Sequence, residues 1–118
     1  MTTIQELYIT NIKKFLEQNF KTYPNKNVSY VEPSGYTMPQ DSFVIETENC
    51  GFVFIHPQIA TSMKPYGYCI YTQKFAKKWY NEEQQIFDYS DDSRFEKNNL
   101  LCQDSIQKIK DFILNEYK

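Results

Sequence analysis

A chain of 118 residues with 41% hydrophobic and 17% aromatic residues carries enough apolar surface for one core and is too short for two, so a single domain over residues 1–118 is expected. Its formal charge of −2 has the wrong sign for a domain that grips nucleic acid or an anionic membrane over its whole surface. No apolar run approaches the roughly 20 residues that cross a bilayer, and the N-terminus lacks the basic-then-apolar pattern of a secretory signal; a cytoplasmic chain without membrane association is expected.

From Thr3 to Phe20, apolar residues fall at Ile4, Leu7, Tyr8, Ile12, Phe15, Leu16 and Phe20, the i, i+3, i+4 rhythm of one helical face. Thr3 and Glu6 have the spacing of a capping box, with Thr2 as the other possible cap. Asn and Pro around Pro24 end the pattern, and Val28–Val31 reads as a short edge strand.

Phe43–Glu48 and Phe52–His56 are rich in β-branched and aromatic residues and flank Asn49-Cys50-Gly51, which predicts a β-hairpin. Pro57 is expected to close its second strand, because proline has no N–H to give to a ladder. Tyr66–Thr72 reads as a third strand and Ile86–Tyr89 as a fourth. Between them, Lys74–Tyr80 is expected to form a short helical turn that sets Phe75 and Trp79 on one face. Ile106, Ile109, Phe112, Ile113 and Tyr117 form the stripe of a closing amphipathic helix from about Cys102 to Tyr117, with Asp104 or Ser105 near its start. The expected fold is therefore α+β: an antiparallel sheet of three to five strands flanked by N-terminal and C-terminal amphipathic helices.

One strand raises a question of coverage. Phe52 and Phe54 point to one sheet face and Val53 and Ile55 to the other, so both faces are apolar. The two helices cover one face. The other needs the 32–42 segment, a partner or a second copy of the chain, which makes a homodimer one expectation.

The motifs that carry most chemistry are missing. Gly35, Gly51 and Gly67 are far apart, whereas a phosphate-cradling loop needs closely spaced glycines; no nucleotide cofactor is expected. His56 is the only histidine, which removes zinc sites built on paired histidines, and a cluster of His56 with Cys50, Cys69 and Cys102 lacks the close ligand spacing of structural zinc, so no metal is expected. The odd number of widely spaced cysteines fits a reducing cytosol and reads as small buried apolar side chains. His56 and Cys69 on neighbouring strands could form a nucleophilic pair, and Glu46 with Glu48 could pair carboxylates; ordinary strand residues account for both patterns.

Charge is more informative. Residues 57–81 hold four lysines and no acid, whereas 82–96 hold six acids against Arg94. Within the acidic run, Glu82, Glu83, Asp88, Asp91 and Asp92 are interleaved with Phe87 and Tyr89, a composition that suits contact with a basic protein: carboxylates steer the encounter and aromatic rings anchor it. These seven residues form the predicted partner-binding site, with no catalytic residue expected. The matching role is a non-catalytic binding domain, such as an immunity protein or inhibitor that neutralises a basic toxin or enzyme. The alternative lies in segment 64–80, where Lys64, Lys74, Lys77 and Lys78 stand among Tyr66, Tyr68, Tyr71, Phe75 and Trp79. Cations beside stacking platforms suit an accessory or regulatory protein that binds single-stranded nucleic acid.

Overall fold

The computed structural model describes residues 4–24, 30–31, 37–38, 42–48, 51–59, 67–87 and 95–118. Helix α1 spans Ile4–Asn19 and helix α2 spans Ile106–Tyr117. Strands β1 (Lys21–Tyr23), β4 (Phe43–Glu46), β5 (Gly51–Ile59), β6 (Tyr68–Ala76) and β9 (Phe95–Gln103) build one antiparallel sheet in the order β1-β4-β5-β6-β9. Two small ribbons are inserted into this path. β2 (Tyr30–Val31) pairs with β3 (Thr37–Met38), and β7 (Tyr80–Asn81) pairs with β8 (Ile86–Phe87). Two helices flanking a five-stranded antiparallel sheet make this an α+β fold, as the periodicities require.

Both helices lie on one face of the sheet. Tyr8, Ile12, Phe15 and Leu16 from α1 and Ile109, Ile113 and Tyr117 from α2 meet Ile45, Val53, Ile55 and Ile70 in a single buried cluster. α1 contributes less of its predicted stripe than expected, since Ile4 and Leu7 remain exposed while Ile9 is buried. One residue turns a helix by about 100°, so a stripe centred near Tyr8 and Ile12 leaves Leu7 on its far side. The Thr2 and Thr3 caps lie outside the described residues. α2 starts at Ile106 with Ser105 as its cap, the Ser105 hydroxyl accepting from the Lys108 N–H at 3.3 Å.

Polar groups in this layer are matched. The Tyr8 hydroxyl donates to the Cys69 carbonyl at 3.0 Å. The Thr72 and Tyr117 hydroxyls share a hydrogen bond of 2.6 Å, and the Asn99 amide donates to the same Tyr117 oxygen at 3.2 Å. A buried hydroxyl without a partner is costly, so these bonds fix the height of both helices above the sheet.

The hairpin is as expected: Glu46 faces Phe52 across β4 and β5, and both the Thr47 N–H and its hydroxyl donate to the Gly51 carbonyl at 3.0 and 2.9 Å. Other expectations are corrected. β5 runs through Pro57 to Ile59. Its pairing with β4 ends at Phe43↔Ile55, while β6 accompanies it to Ile59↔Tyr68, and proline is tolerated on such a half-paired stretch. Lys74–Ala76 belong to β6, which leaves only a 3₁₀ turn at Lys77–Trp79. Tyr30–Val31 and Ile86–Phe87 do form strands, but in the separate ribbons. The edges of the main sheet are instead β1, which follows α1 almost directly, and β9, whose sequence FEKNNLLCQ shows little strand preference.

Part of the second sheet face is covered within the chain. Val44, Phe52 and Phe75 are 0% exposed and Phe54 is 3% exposed; with Tyr80 they form a second cluster, against which Tyr23 and Trp79 pack. The 3₁₀ turn and β7 thus cover the part of that face around Phe52, while Leu100, which faces Tyr71 on the same side, is 61% exposed. The 32–42 segment expected over it lies largely outside the described residues.

Candidate functional site

The acidic run begins on the β7–β8 hairpin. Tyr80 faces Phe87 and Asn81 faces Ile86, so Glu82, Glu83, Gln84 and Gln85 form the turn, and both glutamates are exposed. The turn is held locally: the Asn81 side-chain oxygen accepts from the Gln84 N–H at 2.9 Å. Gln85 adopts φ 57°, a left-handed conformation that costs a residue with a side chain about 1–2 kcal/mol. Of the other predicted partner-binding residues, Phe87 lies in β8, and Asp88, Tyr89, Asp91 and Asp92 lie outside the described residues.

The hairpin stands on an aromatic base supplied by distant parts of the chain. The Phe52 ring lies 4.7 Å from Tyr23, 5.7 Å from Tyr80 and 6.0 Å from Phe75 between centroids. Tyr23 and Tyr80 meet edge-on at 5.6 Å, and the Tyr80 hydroxyl donates to the Pro24 carbonyl. Burial, helped by the negative charge of Glu82 and by Tyr23, raises the Tyr80 phenol above its ordinary pKa, so Tyr80 stays neutral at physiological pH and keeps its hydrogen to donate.

A second carboxylate joins this edge. Glu46, at the end of β4, accepts from the Tyr23 hydroxyl at 3.3 Å. Lys77 sits between the two acids, with Nζ 4.0 Å from Glu46 and 3.9 Å from Glu82, and 5.8 Å above the Phe52 ring. The Lys77 and Glu82 side chains are 56% and 61% exposed, and ion pairs this exposed contribute little and are easily exchanged. Glu82 is therefore held by a weak internal pair that an incoming cation can replace. Sequence reading singled out Glu82 and Glu83 but not Tyr23, Glu46 and Lys77 as their neighbours, because strand order alone joins residues this far apart. Glu48, proposed with Glu46 as a carboxylate pair, lies beyond the end of β4, where strand alternation no longer applies.

The other candidate groups are arranged differently from the expectation. His56 faces Tyr71 and Cys69 faces Gln58, so His56 and Cys69 share a sheet face, one step apart. Cys69 is joined to Cys102 in a disulfide, which corrects the reading of these two cysteines as independent apolar side chains and removes the free thiol that a nucleophilic pair needs. Cys50 lies outside the described residues. Among the described residues, no three His, Cys, Asp or Glu side chains are placed to hold a metal ion.

Segment 64–80 distributes its aromatics over both faces of the sheet. Tyr68 meets Tyr8 on the helix side at 5.1 Å. Phe75 is fully buried on the other side, and Trp79 packs there beneath Lys78, whose Nζ is 4.9 Å from the ring. Tyr71 faces His56 and so shares the side of Phe75, while Lys64 and Tyr66 lie outside the described residues. Among the described residues, a shallow cleft of about 500 Å³ runs along α1 toward α2, lined by Leu7, Asn11, Lys14, Phe15 and Lys110 among others.

No family model, no curated protein and no solved structure matches the chain.

Proposed function

We propose that the chain is a non-catalytic binding domain that neutralises a basic protein, in the manner of an immunity protein bound to a cationic toxin or enzyme. The observation that carries this reading is the β7–β8 turn, which presents Glu82 and Glu83 to solvent above a packed base of Tyr23, Phe52 and Tyr80. A rigid support lowers the entropy lost on binding. Exposed carboxylates raise the rate of encounter with a cationic surface. Phe87, Asp88, Tyr89, Asp91 and Asp92 continue the same acidic and aromatic composition along the chain and complete the proposed contact surface. Cytoplasmic residence belongs to this reading.

The test is association kinetics with a basic protein that co-purifies with the chain or is encoded next to its gene. Replacing Glu82 and Glu83 by lysine, and separately Asp91 and Asp92, is expected to slow association by roughly tenfold at low salt, with a smaller effect at high salt. Melting temperature should barely move, because the Lys77–Glu82 pair is solvent-exposed. Unchanged association rates for both variants would refute the proposal.

A further inference from the structure

The β6–β9 register sets Cys69 directly opposite Cys102, and the two form a disulfide with Cα atoms 4.1 Å apart. This bond differs in two respects from a cross-link that ties remote segments together. First, the ladder already holds both residues, since β6 and β9 pair from Tyr68↔Gln103 to Phe75↔Phe95. Second, the two residues are unequally exposed. Cys69 lies on an interior strand and is 1% exposed, whereas Cys102 lies on the edge strand β9 and is half-buried.

We propose that Cys102 is a site of reversible S-thiolation, through which low-molecular-weight thiols open and close the Cys69–Cys102 disulfide. A thiolate attacks Cys102 Sγ, forming a mixed disulfide as the bond to Cys69 breaks; Cys69 leaves as a thiolate and takes a proton from the medium. A second thiolate attacks the small-molecule sulfur of the mixed disulfide, releasing a low-molecular-weight disulfide and the Cys102 thiolate. Two electrons pass from two thiols to the protein, and the reverse sequence, starting from the oxidised small molecule, recloses the bond. Burial of Cys69 disfavours the other line of attack. The cycle rests on the proposed cytoplasmic residence, because in a reducing compartment a disulfide in an ordinary protein is usually transient or redox-sensing.

The test uses the full chain with Cys50→Ser, so that only this pair reports. Protein is equilibrated with graded ratios of reduced to oxidised glutathione, quenched with acid, alkylated and weighed intact. The pair should interconvert between disulfide and dithiol across the series, with the far-UV circular dichroism unchanged. In folded single-cysteine variants, Cys69→Ser should take up one glutathione at least about tenfold faster than Cys102→Ser. A disulfide that stays closed at every ratio, opening that occurs only with loss of the dichroism signal, or equal rates for the two variants would overturn the proposal. Should Cys69→Ser fail to fold, peptide mapping of the acid-trapped mixed disulfide in the parent protein decides the matter: glutathione on Cys102 supports it, and glutathione on Cys69 overturns it.

Discussion

Phe52→Ala tests whether the second sheet face is a true core. The Phe52 ring is 0% exposed and contacts Tyr23, Phe75 and Tyr80. Truncating a buried phenylalanine to alanine costs about 3–5 kcal/mol, because the lost transfer energy is joined by the cavity left behind. With an unfolding entropy of about 2.1 cal/mol/K per residue, a chain of 118 residues unfolds with roughly 250 cal/mol/K. A loss of about 4 kcal/mol therefore lowers the melting temperature by about 16 °C. Thermal and urea unfolding followed by circular dichroism give the number, with Leu100→Ala as the control, because Leu100 is 61% exposed and should change stability by less than about 0.5 kcal/mol. A Phe52→Ala loss below about 1 kcal/mol would refute a packed core on this part of the second face.

Two further outcomes follow from the helix layer and its caps. Thr72→Val removes a hydroxyl bonded to Tyr117 at 2.6 Å but leaves Asn99 as a partner for the same oxygen; chemical denaturation should show a loss of about 1–2 kcal/mol, with Asn99→Ala adding to it more than independently because the buried Tyr117 hydroxyl then loses both bonds. The Asp104 carboxylate is bonded to Lys108 at 2.9 Å, and that hydrogen bond, reinforced by the lysine charge, lowers its pKa from the ordinary 3.8. A depressed folded pKa means that its contribution is present above the unfolded value and is lost as pH falls through the folded one. An NMR titration should place the Asp104 midpoint below 3.8, and Lys108→Met should return it toward that value.

The candidate site was legible only in its first part. Glu82 and Glu83 stand out from the sequence because a lysine-only stretch gives way abruptly to acids, and a turn is the natural place for consecutive charged residues. Their support was hidden: Tyr23, Glu46, Phe52 and Lys77 have no local signature that brings them together, and each reads as an ordinary strand or loop residue. The disulfide was hidden for the same reason. Cys69 and Cys102 are 33 residues apart, and their pairing depends on β9, a strand with two asparagines and little β preference.

What the sequence determined by itself was the local layer. The 3.6-residue period of α1 and α2, the Ser105 cap and the β4–β5 hairpin around Gly51 arise from side-chain spacing and backbone freedom within a few residues. Tertiary structure alone decided which strands form the sheet edges, how far β5 and β6 extend, which part of the second apolar face is buried, and that two cysteines face each other. Those outcomes depend on ladder bonds and contacts between residues far apart in the chain, where hydrogen bonding to a neighbour and burial outweigh weak intrinsic preference.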